Sequence, residues 1–109
     1  MAYDEALTAR IREALAGRSG VTEMKMFGGV GFMLNGNMCC GVVKDELMVR
    51  VGRDAHEEAV MLPHARPMDF TGRPMGGFVF VGLQGVQGED ALQQWVERGV
   101  SFAGSLPPK

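Results

Sequence analysis

An Asn-Gly pair at positions 35 and 36 constrains the fold of this chain more than any other feature of its sequence. Two runs of strand-forming residues, 30–34 and 37–43, flank the pair. Asn and Gly tolerate the positive φ angles that a two-residue hairpin turn requires, so the pattern is the strongest short-range signal for a β-hairpin. We therefore predict two antiparallel strands joined at Asn35 and Gly36.

The register of this hairpin follows from the length of its turn. The predicted opposed pairs are Met33 with Met38 and Phe32 with Cys39. A Lys-Asp-Glu turn then follows, and residues 47–51 are predicted to return as a third antiparallel strand. Side chains alternate between the two faces of such a strand. Alternation assigns Leu47, Val49 and Val51 to one face and Met48 and Arg50 to the other.

Apolar residues at helical spacing predict a helix at each end of the chain. The first helix carries Leu7, Ile11 and Leu15, with Asp4 as its N-cap and Gly17 just beyond its end. The second begins with Glu89 and Asp90, whose negative charges suit the N-terminal end of the helix dipole. Its apolar stripe consists of Leu92, Trp95, Val96 and Phe102. Each helix therefore has one face to bury against a sheet.

The region between the meander and the last helix is predicted to contain a short helix and one more strand. Asp54 and Glu57 have the spacing of a capping box, which predicts a helix to about Met61 that Pro63 ends. Residues 64–77 are predicted to be an irregular segment that crosses from the short helix to the last strand. The strand, residues 78–82, is expected inside the sheet, with Phe78 and Phe80 on one face and Val79 and Val81 on the other.

The predicted fold is a single α+β domain over residues 1–109. An antiparallel sheet of four or five strands carries the N-terminal, short middle and C-terminal helices. A chain of 109 residues is long enough to bury one core without disulfides.

Polar residues follow Met1, and no apolar run is long enough for a signal peptide or a membrane span. We therefore expect a cytoplasmic protein that does not enter a membrane. In that compartment the thiols of Cys39 and Cys40 are expected to be reduced.

The glycine-rich stretch 28–34 is predicted to be structural. A dinucleotide-binding loop needs a helix directly after its glycines, whereas here a strand and a turn follow. Glycines on a half-buried strand mark a bulge or a helix packed closely on the sheet. The nine methionines either fill an irregular core or form an adaptable binding surface.

Cys39 and Cys40 are predicted to point to opposite faces of their strand, so both cannot ligate one metal ion from regular geometry. Adding His56 and His64 would need convergence at no recognised zinc-site spacing. Each cysteine is either a small core residue or one partly exposed reactive thiol. Neither histidine accompanies a nucleophile motif, so no catalytic site, metal site or cofactor is predicted.

The charged residues of the sheet region leave two questions open. Asp69 lies between Arg66 and Arg73, and either the two guanidinium groups fix its position or it has a polar binding role. The basic residues of this region form either a local positive patch or a set of solvated edges; they are Lys25, Arg50, Arg53, Arg66 and Arg73. The net charge of −2 provides no general attraction for DNA, so DNA binding is only weakly supported.

Several motifs in order resemble the N-terminal domain of the TfoX/Sxy competence-regulator family. They are "MFGGVGFMLNGNMCCGVV", "LMVRVG", "RPMDFTGRPMGGFVFV" and the closing "LQQWV" with "LPPK". The resemblance spans about Tyr3 to Lys109. It implies an α+β domain without enzymatic activity, in regulators of natural transformation that work with a cyclic-AMP-responsive transcription activator.

The resemblance favours a non-enzymatic interaction module that acts in transcriptional regulation through protein contacts. Candidate structural or contact residues are Met26, Phe27, Gly28, Gly29, Gly31, Phe32, Arg50, Asp69, Gly72, Arg73 and Trp95. One alternative is a small-molecule binder or minor enzyme in a crevice beside the glycine-rich hairpin, using Asp69 and the thiol of Cys39 or Cys40. A second alternative is direct DNA binding through a local basic patch.

Overall fold

The computed structural model describes residues 3–26, 28–70 and 73–108, with side chains undescribed at residues 26, 68–70 and 73–76. This part of the chain forms three α-helices and six β-strands. In chain order they are α1 (Glu5–Ala14), β1 (Val21–Met26), β2 (Gly29–Leu34), β3 (Asn37–Val43), β4 (Glu46–Arg50), α2 (Arg53–Val60), β5 (Ala65–Phe70), β6 (Arg73–Val81) and α3 (Glu89–Gly104).

The six strands form one antiparallel sheet in the order β1-β2-β3-β4-β6-β5. Strands β1 to β4 are a meander, as predicted from the sequence. The chain then passes through α2 and enters the far edge of the sheet as β5, and β6 lies between β4 and β5. The predicted α+β class is confirmed, with a sheet slightly larger than the four or five strands expected.

The Asn-Gly turn is confirmed, but the predicted register is wrong at one pair. Asn35 and Gly36 both adopt positive φ, 53° and 84°, and Met33 lies opposite Met38 as expected. Phe32, however, pairs with Cys40, because the register shifts by one residue between Phe32 and Met33. A β-bulge on β3 therefore leaves Cys39 without an opposed residue.

The irregular crossing predicted for residues 64–77 is also wrong, because most of this segment forms β5 and the first half of β6. Its Arg-Pro dipeptides resemble loop sequence. Pro67 nevertheless lies in β5, opposite Val79 of β6. An edge strand tolerates proline because one side of its backbone needs no hydrogen bond from the sheet.

The predicted N-cap is confirmed at α1 and corrected at α2. The Asp4 side chain caps α1 by accepting a hydrogen bond of 2.9 Å from the Leu7 N–H. Helix α2 begins at Arg53, one residue before the predicted cap, and its N-cap is Gly52 with a φ of 87°. Asp54 is therefore inside the first turn, where its charge favours the helix through the dipole.

All three helices pack on one face of the sheet. The apolar cluster on that side joins helical residues to alternate strand residues; among its members are Ile11, Leu47, Val49, Ala59, Leu92 and Val96. A second cluster, Val43, Met48 and Phe80 with Met38 and Phe78 packed against it, consists of strand residues alone. We call these sides the covered face and the open face. Within the described chain, no helix is long and apolar enough to cross a bilayer.

Candidate interaction surface

Methionine side chains occupy the open face of four neighbouring strands. Met38 and Met48 belong to the strand-only cluster, and Met33 lies directly opposite Met38. Met24 is two positions from Thr22, which pairs with Met33, so Met24 shares the same face. We call Met24, Met33 and Met38 the methionine patch.

The methionine patch is accessible, whereas its neighbour Met48 is not. Met24 is 52% exposed, and Met33 and Met38 are half-buried. Met48 is buried because other open-face side chains surround it. Unbranched methionines adapt their shape to a contacting surface, so the patch has the chemistry of an adaptable apolar contact.

Glycines lie on the same face beside the methionines. Gly31 and Gly41 oppose each other on β2 and β3. A Cβ atom on Gly41 would lie 2.9 Å from the Met48 Cε atom, and one on Gly29 would overlap the Val42 carbonyl group. These glycines therefore permit close approach between neighbouring strands. The sequence had suggested a bulge or a closely packed helix instead.

Arg50 lies at the end of β4, where the open face meets the last turns of α3. Its guanidinium carbon is 5.6 Å from the centre of the Phe78 ring and 5.1 Å from that of Phe102. Stacking on two rings holds the cation in place and leaves its edge available for an anion. Arg50 takes part in none of the ion pairs found within the described residues.

Arg66 is placed differently from Arg50 although both are on the open face. The Arg66 guanidinium lies 4.8 Å from the centre of the Phe80 ring and forms an ion pair with Glu46. Its charge is therefore compensated by a neighbour. Arg50 is the better candidate for contact with a carboxylate of another molecule.

Those other predicted site residues that the structure describes lie in different parts of the fold. Phe32 and Trp95 are buried in the core of the covered face, and Gly28 adopts a φ of 73° in a turn. Met26, Asp69 and Arg73 lie in β1, β5 and β6, with side chains outside the described part. Phe27 and Gly72 fall outside the described residues altogether.

The basic residues of the sheet region do not gather into one patch among the described side chains. Lys25 is on β1 and Arg66 is on β5, and these strands are the two opposite edges of the sheet. Lys25 pairs with Val30, a covered-face residue, so its side chain also points to the other side from Arg66.

The two cysteines are neighbours on the covered face, contrary to the prediction that they point to opposite faces. The bulge at Cys39 interrupts the alternation, and both side chains join the same apolar cluster. Helix α3 lies directly above them. A Cβ atom on Gly99 would be 2.5 Å from the Cys39 carbonyl oxygen and 3.2 Å from its Sγ atom.

The two neighbouring thiols shift each other's pKa. The interaction with Cys40 lowers the pKa of the Cys39 thiol, and the positive charge of nearby Arg18 acts in the same direction. The interaction with Cys39, together with complete burial, raises the pKa of the Cys40 thiol. Both residues are buried, so the pair fits the predicted core role and presents no thiol at the surface.

Two grooves run along α3, on the helical side of the molecule. One, of about 800 Å³, is lined by residues of α2 and α3, among them Ala55 and Phe102. The other, of about 310 Å³, is lined by residues that include His64, Trp95 and Arg98. No residue of the glycine-rich hairpin lines either groove, so neither is the crevice that the small-molecule alternative requires.

Comparison with protein families identifies a matching family. The family model described as the TfoX N-terminal domain matches residues 13–103. The chain therefore belongs to the TfoX N-terminal domain family. No curated protein and no solved structure matches it significantly.

Proposed function

We propose that this member of the TfoX N-terminal domain family is a non-enzymatic module that binds a protein partner through the open face of its sheet. The observation that carries the proposal is the accessible methionine patch, continuous with Arg50 through the strand-only cluster. Exposed apolar side chains that adjoin one another are typical of protein contacts.

The chemistry of the open face indicates what the partner offers. Methionines and Phe78 would contact apolar side chains, and the stacked guanidinium of Arg50 would pair with a carboxylate. The partner segment is therefore apolar with an acidic residue. Because the family resemblance implies regulation of transcription, we propose a component of the transcription machinery or a cyclic-AMP-responsive activator in a bacterial cytoplasm.

Site-specific photocrosslinking tests the contact surface. A photoreactive amino acid at Met33 should crosslink one partner in the native host, because Met33 lies within the methionine patch. The matched control is Glu57, which is exposed on α2. Equal crosslinking from both positions, or crosslinking from Glu57 alone, would contradict the proposed surface.

Charge reversal tests the regulatory role. Arg50→Glu should abolish the Met33 crosslink and the transcriptional response, whereas Arg50→Lys should retain part of both because it keeps the charge. Circular dichroism of each variant shows whether the fold is preserved. A folded Arg50→Glu variant with an unchanged transcriptional response would argue against this role of the open face.

A further inference from the structure

The outer edge of β1 is an accessible strand edge. β1 is the first strand of the sheet, and only β2 pairs with it. Four consecutive residues, 22–25, are exposed. The strand contains no proline and its register with β2 is continuous, so nothing within β1 interrupts pairing with a further strand.

The hydrogen-bond pattern shows which residues of β1 direct their backbone groups outward. The Asn35 N–H donates to the Gly20 carbonyl oxygen over 2.9 Å, at the position that continues the β1–β2 register. Opposed residues alternate between bonded and non-bonded pairs in an antiparallel ladder. Even-numbered residues of β1 therefore bond to β2, and Val21, Glu23 and Lys25 direct their N–H and C=O groups to the free edge.

We propose that β1 pairs antiparallel with β1 of a second copy of this chain, about a two-fold axis at Met24. The pairing joins two six-stranded sheets into one. In this register Glu23 of each copy lies opposite Lys25 of the other, and these are the residues whose backbone groups are free. The strand is thus complementary to itself in both hydrogen bonds and charge.

Charge selects this register over its neighbours. A shift that keeps the same backbone bonds places either Glu23 opposite Glu23 or Lys25 opposite Lys25. Like charges directly opposite one another destabilise a strand pair, whereas opposite charges stabilise it. The edge strand β5 is less suited to such pairing, because Pro67 interrupts its row of backbone N–H donors.

The side chains of β1 are placed for this arrangement. Arg12 donates two hydrogen bonds, of 2.9 and 2.8 Å, to the Glu23 carboxylate and holds it on the covered face, where Lys25 of the second copy would be a second cation beside it. On the open face, Met24 would meet Met24 of the second copy in a non-bonded pair, where side chains approach most closely. This contact would bury a side chain that is 52% exposed in the single chain.

A charge exchange tests the pairing. Wild type should show a concentration-dependent dimer in sedimentation velocity, and Glu23→Lys or Lys25→Glu alone should each remain monomeric. An equimolar mixture of the two variants should form a heterodimer, detected by native mass spectrometry, because each pair then joins unlike charges. The double variant should dimerise with itself, and Glu57→Lys on α2 should dimerise like wild type.

The outcomes are decisive in both directions. Dimers that persist in both single variants would place the interface elsewhere and overturn the proposal. A wild-type chain that stays monomeric up to the highest soluble concentration would also overturn it and would leave the edge of β1 to a strand of another protein. The crosslink from Met33 to a different protein does not depend on either result.

Discussion

The two faces of the sheet are built from the same strands and differ in almost every other respect. The covered face presents Leu47, Val49 and Val42, which are completely buried against helices. The open face presents methionines, glycines and two arginines stacked on rings. Alternation along each strand therefore gives one face that stabilises the fold and another that, in our proposal, contacts a partner.

The difference lies also in how tightly each face is packed. On the covered face, Gly99 of α3 leaves no space above Cys39 for even one additional carbon atom. On the open face, Met24 and Met33 have solvent on one side. We therefore expect substitutions on the covered face to change the stability of the fold, and substitutions on the open face to change the binding of a partner.

The largest difference should appear when one large side chain is shortened on each face. Leu47→Ala should lower the free energy of unfolding by about 2–5 kcal/mol, because Leu47 is fully buried. Met24→Ala should change it by less than about 0.5 kcal/mol. Urea unfolding followed by circular dichroism measures both, and equal losses would remove the distinction between the faces.

A smaller loss of stability, confined to one site, is expected at the contact between α3 and β3. Gly99→Val should destabilise the fold by about 1–3 kcal/mol because the new side chain meets the Cys39 backbone. Gly104→Ala is the matched control in the same helix, since its Cβ would be 3.6 Å from a Leu34 methyl group. A Gly99→Val variant as stable as the control would show that α3 does not pack closely against the bulge at Cys39.

Several of these features could be predicted from the sequence because local chemistry determines them. The Asn-Gly turn needs positive φ at two residues, and the Asp4 cap satisfies a backbone donor three residues away. The alternation in β4 likewise follows from strand geometry. Each of these signals depends on residues close together in the chain.

The features that were missed depend on contacts between distant segments. No residue of β3 marks the bulge, which fits Cys39 beneath α3 and brings it beside Cys40. The strand β5 is stable because β6 pairs with it, although its own sequence favours a loop. Alternation indicates that Met33 and Met38 share a face, but only the placement of the helices shows that this face is open.

The two thiols test how well the covered face is shielded from solvent. Both cysteines lie beneath α3, so an aromatic disulfide reagent should react with them slowly in the native chain and rapidly in denaturant. When native reaction occurs, Cys39 should react first because its pKa is the lowered one. Fast native reaction would contradict the core role and revive the reactive-thiol alternative.

The smallest effect concerns the pH dependence of the Arg12–Glu23 pair at the rim of the covered face. The hydrogen bonds from Arg12 hold the pKa of the Glu23 carboxyl below its ordinary value of 4.5. Above the ordinary pKa, a carboxyl whose pKa is lowered by folding stabilises the folded state. This contribution to stability is lost as the pH falls through the lower pKa of the folded state. Glu23→Gln should therefore be slightly less stable than wild type near neutral pH.

This stability difference should shrink as the pH falls below 4.5 and disappear below the lowered pKa of Glu23 in the folded chain. Unfolding curves at the lowest usable protein concentration keep the pairing of β1 from contributing. Glu57→Gln, at an exposed position on α2, provides the comparison for the loss of a surface carboxylate. A Glu23→Gln difference that persists unchanged in acid would argue against the ion pair as its cause.

Methionine oxidation tests most directly whether the open face is accessible. Brief treatment with hydrogen peroxide, followed by peptide mass spectrometry, compares all sites in one sample. Met61, 83% exposed on the helical side, is the internal reference, and Met48 is the buried one. At a protein concentration low enough to keep the chain monomeric, Met24 should oxidise about as fast as Met61, Met33 and Met38 should oxidise more slowly, and Met48 should oxidise last. Equal protection of Met24, Met33, Met38 and Met48 under these conditions would contradict an open face.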